Sequence, residues 1–240
     1  MSEAVEVLRQ FKGFSYFTEM SDIINRLEDH VASARMKTTP VIDFEKNESL
    51  KGLDYLDTIY HAIVNEHPIQ LKYRSFKARS ANSFIFYPYL LKEYRNRWFV
   101  YGVRGNGRIL QNLALDRIQS LEVLPQEHYI KNTFFDPNTF FDDLVGVTKN
   151  TGSVAEKVGF KVAAAEAPYI ITKPIHRSQQ VMERLADGSV ILEIEVVINH
   201  ELERVFFGYA EGIQVLYPKT LVELMGRKLK KAAEQYTHSK

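Results

Sequence analysis

Apolar positions recur at steps of three and four near the start of the chain. Val5, Leu8 and Phe11, and then Ile23, Ile24, Leu27 and Val31, predict helical structure over residues 1–35. Ser21-Asp22 offers the second helix an N-cap. The polar stretch from Lys37 to Lys51, with Pro40 inside it, reads as a boundary holding one short extended piece at 41–44. From Leu53 the apolar stripe Leu53, Leu56, Ile59, Tyr60, Ile63 and Val64 predicts a helix that cannot continue through Pro68.

The spacing then changes to two. Ile69, Leu71 and Tyr73 alternate with Lys72 and Arg74, which predicts a strand over 69–75 with its faces separated. The same alternation predicts strands at 83–90, 97–103, 108–115 and 118–124, with Gly105-Asn106-Gly107 as a hairpin turn. In the third of these, Trp98, Val100 and Gly102 share one face, and Arg97, Phe99, Tyr101 and Val103 share the other. Five short strands of this kind make a small antiparallel barrel.

A connector follows, in which Asp136-Pro137 is expected to open a short helix carrying Phe140, Phe141 and Leu144. Beyond it the pattern predicts a strand over 154–164, a helix over 165–171, a strand over 179–184, a turn at Asp187-Gly188 and a strand over 190–198. A helix over 201–210 capped by Asn199, a strand over 213–216 and an amphipathic helix over 220–236 complete the chain. This β-α-β-β-α-β order is that of the ferredoxin-like split unit. The expected class is α+β, divided into a helical segment at 1–50, a barrel at 53–125, a connector at 126–150 and a ferredoxin-like domain at 151–240.

Composition narrows the chemistry. With 240 residues, 45% of them hydrophobic, the chain can bury a sizeable core. No apolar run approaches membrane-span length and the N-terminus lacks a signal peptide's apolar segment, so the cytoplasm is the default location. Zero cysteines exclude disulfides, thiolate metal sites and cysteine nucleophiles, and the seven histidines form no H-x-x-x-H pair. No nucleophile-base-acid set and no phosphate-binding glycine loop is present, so neither enzymatic activity nor a metal or other cofactor is expected.

Charge is distributed unevenly. Between Ile69 and Ile118 there are ten cations, seven of them arginine, against Glu93 and Asp116, a net +8 in a chain whose overall charge is +1. Cations on strands also keep sheet edges from pairing with other chains. An arginine-rich set fits better the reading of phosphate or another anion. Tyr73, Tyr89, Arg104, Asn112 and Arg117 are the candidate ligand-binding residues, an aromatic face with charged and amide donors at the open side of the barrel. Arg74, Lys77, Arg79, Arg95 and Arg97 form a secondary basic face. Core packing is the alternative role for each aromatic. Arg117, with Asp116 expected on the opposite face, needs an anion that is either a ligand or another carboxylate.

The run Tyr87-Pro88-Tyr89-Leu90-Leu91, then Trp98-Phe99-Val100, then Leu115-Asp116-Arg117-Ile118 resembles the WYL domain, and the last third is similar to the WCX extension that follows it. The resemblance covers residues 53–236. Phe99 stands where the family has Tyr, Val100 where it has Leu, and Gln111 where it often has an arginine. It implies an Sm/SH3-like five-stranded barrel, with residues 1–50 as a helical linker or dimerisation segment. A winged-helix DNA-binding domain normally precedes such a barrel, and residues 1–35 are too short for one. The function it implies is the ligand-sensing, oligomerising module of a bacterial transcriptional regulator, which binds an anionic, nucleotide-like ligand or single-stranded nucleic acid. A homodimer is the default assembly. The alternative is an accessory protein with no DNA-binding of its own that pairs with another regulator or a defence enzyme.

Overall fold

A computed structural model of the chain describes residues 51–105, 107, 109–150 and 152–237. The helices expected over 1–35 and the extended piece at 41–44 lie outside the described residues, as do Asn106 and Arg108. The fold is α+β with two antiparallel sheets. The chain divides into two compact units, with the boundary between Phe134 and Phe135.

The first unit begins with a 3-10 turn, Leu53–Tyr55, that runs into helix α1, Leu56–Val64. Leu56, Ile59 and Ala62 fall at three-residue steps on one face, and all three are buried. Five strands follow: β1 Ile69–Tyr73, β2 Asn82–Tyr94, β3 Arg97–Arg104, β4 Leu110–Ala114 and β5 Ile118–Val123. A second 3-10 turn, Leu115–Arg117, sits between β4 and β5. The sheet order is β4-β3-β2-β1-β5. Ile69 and Leu71 of β1 lie opposite Phe86 and Phe84 of β2 on one side and Val123 and Leu121 of β5 on the other. With α1, Val100, Leu113 and Leu115 they form a single core, in which each fully buried aliphatic or aromatic side chain stabilises the fold by about 1.5–3 kcal/mol.

No ladder among the described residues joins β4 to β5. The sheet nevertheless curls: the backbone of Ala114 at the end of β4 reaches the hydroxyl of Tyr73 at the end of β1, three places away in the order. Gly52 helps to fix the second 3-10 turn. Its φ of +89° is open to glycine, and a Cβ there would stand 2.4 Å from the Leu115 carbonyl carbon.

β2 is longer than the alternation predicted. The ladder with β3 skips a residue between Pro88 and Leu90, so Tyr89 is an extra residue that reverses the phase of everything after it. The strand then continues to a hairpin at Arg95-Asn96, both with positive φ, where the Asn96 N–H donates to Glu93 Oε1 at 2.6 Å.

The second unit contains β6 Glu156–Val162, α2 Ala167–Thr172, β7 Gln180–Arg184, β8 Val190–Val196, α3 His200–Gly208, β9 Ile213–Tyr217 and α4 Lys219–Thr237. Its sheet order is β7-β8-β6-β9. Val158, Phe160 and Val162 of β6 and Val190, Leu192, Ile194 and Val196 of β8 share a core with Leu202 and Phe206 of α3 and Leu221 and Met225 of α4.

The helix expected after Asp136-Pro137 is replaced by consecutive turns. The Asp136 carboxylate accepts from the Asn138 N–H at 2.9 Å, and the Asp142 and Leu144 N–H groups bond three residues back. A side chain that takes up a local N–H competes with helix propagation. Asn199 caps α3 as expected by accepting from the Leu202 N–H at 2.9 Å.

His176 is 8% exposed, and its Nδ1 accepts from the Ser178 N–H at 3.2 Å. Burial, followed by the nearby Arg177, holds its pKa below the ordinary 6.5. A histidine that stays neutral in the fold contributes stability that is complete above pH 6.5 and is withdrawn as pH falls through the lowered folded value. Thermal unfolding of the second unit is therefore expected at lower temperature at pH 5.5 than at pH 7.5, and His176→Gln should reduce that difference. An unchanged pH dependence in the variant would rule the histidine out as its source.

Candidate ligand site

The site is built where the loop after β1 meets the second 3-10 turn. Leu115, 1% exposed, anchors that turn in the core. A 3-10 turn does not alternate its side chains as a strand does. Asp116 and Arg117 therefore lie together, Arg117 Nε 3.9 Å from Asp116 Oδ1, which corrects the expectation that they face opposite ways. The Arg74 N–H donates to the Arg117 carbonyl at 3.1 Å and ties the loop to the turn. Between them is a cavity of about 300 Å³ lined by Arg74, Ser75, Phe76, Asp116, Arg117 and Gln119.

The electrostatics of this cavity leave positive charge in excess. Asp116 is shared, since its Oδ2 is 3.2 Å from Arg97 Nε while its Oδ1 is the atom facing Arg117. One carboxylate thus answers two guanidiniums, and Arg74 joins Arg117 as a second cation on the cavity wall. Arg117 Nε is buried with no hydrogen-bond acceptor among the described residues, and Asp116 Oδ1 is buried with no donor. At 3.9 Å the two form an ion pair too long to be a hydrogen bond. The Arg117 guanidinium also lies 4.5 Å from the centre of the Phe76 ring. Tyr73 adjoins this group. Burial raises its phenol pKa, and the Arg117 charge beside it works in the opposite direction.

Of the five candidate residues, then, the fold brings Tyr73 and Arg117 together and leaves the others elsewhere. Tyr89 is buried in a separate aromatic group, stacked on Phe134 at 6.1 Å and edge-on to Tyr129 at 6.1 Å. The Tyr129 hydroxyl donates to the Pro88 carbonyl, which fixes that group against β2. Burial is the main cause that pushes the Tyr89 phenol up to about 12, and its hydroxyl has no hydrogen-bond partner among the described residues. Asn112 lies opposite Tyr101 in the β3–β4 ladder, on the face away from Val100 and Leu113. Arg104 covers the Phe84 ring at 4.1 Å. It stands at the far end of β3 from Arg97, and the steps between them span about 23 Å.

The secondary basic face is also divided. Arg74 and Arg97 belong to the cavity group, Lys77 and Arg79 are exposed in the loop between β1 and β2, and Arg95 lies over Tyr94 in the hairpin turn at 5.5 Å. Phe76 and the acceptor role of Asp116 were missed. The sequence signal for Phe76 is one aromatic residue between cations in a loop, Arg74-Ser75-Phe76-Lys77. Among the described residues, no group of three or more His, Asp or Glu side chains is arranged to hold a metal ion. No helix among them is long and apolar enough to cross a membrane.

Comparison with known proteins agrees with the two-unit division. The WYL domain family model matches residues 54–123, and the WCX domain model matches residues 155–233. No curated protein matches the chain. Among solved structures, proteasome accessory factor B/C (PafBC) of Arthrobacter aurescens is 16% identical, with 80% of this chain and 28% of that one covered at a TM-score of 0.32. A CRISPR Cas-related protein is 12% identical, with 78% of this chain and 52% of that one covered at a TM-score of 0.46. Superpositions this loose carry no functional argument, and this chain spans about a quarter and about half of the two solved chains. The two domain matches, in this order and together covering most of the described chain, show that the protein belongs to the WYL-domain family and carries a WCX domain after the WYL domain.

Proposed function

We propose that this chain is the ligand-sensing, oligomerising module of a bacterial WYL-type transcriptional regulator, a cytoplasmic homodimer that binds its ligand without transforming it. In this reading the first unit is an Sm/SH3-like barrel and the second a ferredoxin-like domain. The ligand is anionic and nucleotide-like, or a single strand of nucleic acid, and it occupies the cavity between the loop after β1 and the second 3-10 turn. The observation that carries the reading is Arg117, which stands at the cavity wall and shares one carboxylate with Arg97. An anion entering there would complete a charge balance that Asp116 alone leaves short. Such binding alters the DNA affinity of an attached or partnering winged helix only insofar as the ligand favours one conformational state over another.

Fluorescence anisotropy with labelled single-stranded DNA and RNA oligomers at two salt concentrations tests this. Binding that weakens with added salt is expected. Arg117→Ala should weaken it about 10- to 100-fold, the range for losing a charged hydrogen bond. Arg104→Ala, acting only through screened charge at the far end of β3, should change it by no more than about twofold. A folded protein that binds neither oligomer at low salt would make the basic face a protein-docking surface instead.

A further inference from the structure

We propose that Phe76 is a platform on which one nucleobase stacks, so that the cavity selects ligands joining a flat ring to a phosphate over phosphate esters that lack one. This rests on the reading of the cavity as an anion site and adds to it the residue that decides which anions are held.

Phe76 is 73% exposed. A single exposed apolar side chain is ordinary and by itself means nothing. Three observations set this one apart. Among the described residues it is the only aromatic one on the cavity wall. Its ring is not loose, because the Arg117 guanidinium lies over one face at 4.5 Å, while the 73% exposure of the residue leaves room on the other. Its backbone is held as well, in a turn where the Ala78 N–H donates to the Ser75 carbonyl at 3.0 Å.

A ring fixed on one face, open on the other and next to two arginines has both parts of a nucleotide site. Arg74 and Arg117 meet the phosphate, and the open face meets the base. The cation on the covered face draws electron density from the ring and so favours an electron-rich purine on the open one. Size limits the site to a single unit, since about 300 Å³ lies at the bottom of the range for small-ligand pockets. The two tyrosines expected at the site cannot take this part: Tyr73 and Tyr89 are 9% and 7% exposed and present no free face.

The test compares an adenine-bearing oligonucleotide with an abasic oligomer of the same length and charge. The expected result is that wild type prefers the adenine oligomer roughly 10- to 100-fold. Phe76→Ala and Phe76→Leu should each remove most of that preference by weakening the adenine oligomer far more than the abasic one. Phe76→Trp should restore it and add a tryptophan whose fluorescence falls with the adenine oligomer and not with the abasic one. Equal binding of the two oligomers by wild type, or a preference that Phe76→Ala does not touch, overturns the stacking role and leaves the anion site standing. Failure of wild type to bind either oligomer at low salt overturns both. At its exposure, substituting Phe76 leaves the core intact, and circular dichroism of each variant checks this.

Discussion

Replacing Gly102 by alanine is expected to lower the stability of the first unit by about 3 kcal/mol or more. A Cβ at this position would sit 2.1 Å from the Tyr87 carbonyl oxygen and 2.7 Å from the Phe86 ring. The carbonyl belongs to the β2–β3 ladder and cannot withdraw without breaking it. The ring is fully buried between β1 and β3, so displacing it also forfeits part of a burial worth about 1.5–3 kcal/mol. Gly226→Ala makes the contrast. It lies inside α4 with nothing within 4 Å of its added Cβ, and should stabilise the second unit by about 1 kcal/mol through helix propensity alone. Denaturant melts of the two variants beside wild type decide the matter. A Gly102→Ala protein that unfolds at the wild-type midpoint would mean that β2 and β3 are not paired in this register.

Asn199→Ala is expected to cost about 2–4 kcal/mol in the second unit, because this side chain does two jobs. Its Oδ1 caps α3, and its Nδ2 donates to the Val145 and Thr148 carbonyls at 2.9 and 3.0 Å, tying the preceding loop to the helix. Removal of a cap accounts for about 1 kcal/mol. The rest comes from carbonyls left without a donor, at about 1–3 kcal/mol for a buried group. Serine and aspartate separate the two contributions. Asn199→Ser keeps an acceptor for the cap and should recover about 1 kcal/mol of the loss. Asn199→Asp keeps the cap but turns a carboxylate oxygen toward two carbonyls, and should recover little. If Ala, Ser and Asp melt together, the loop does not depend on this residue.

The second unit was the more legible from sequence. Val158, Phe160 and Val162 alternate without interruption, Asp187-Gly188 is an ordinary turn pair, and Asn199 precedes a helical stripe. Local chemistry and final structure agree there. In the first unit the signals conflict. The extra residue at Tyr89 shifts the phase of β2, so Leu91 to Tyr94 no longer read as a continuation. The hairpin at Arg95-Asn96 uses positive φ without a glycine, and few sequences announce that.

The site was harder to read for a different reason. Its residues are joined by pairing between strands: the β3–β4 register, in which Phe99 faces Ala114, carries on past the end of β4 and sets Arg97 opposite Asp116. Alternation within one strand says nothing about such a meeting. It does say which residues share a face, but the face it assigned to Asp116 assumed a strand where a 3-10 turn stands. Phe76 lies in a loop, where no period exists to mark it.

The pairing of β1 with β5 has a consequence for how the binding cavity comes into being. The β2–β3 and β3–β4 ladders join neighbours along the chain and can close as soon as their residues leave the ribosome. The β1–β5 ladder closes a loop that contains all the other strands, and the cavity wall is drawn from the two segments that flank its Tyr73–Ile118 end, Arg74 to Phe76 after β1 and Asp116 to Arg117 before β5. A nascent chain that stops short of Ile118 would hold every hairpin and still have no pocket. The cavity is thus completed only when β5 pairs with β1, after every hairpin of the sheet, and fraying of β5 would take it away first.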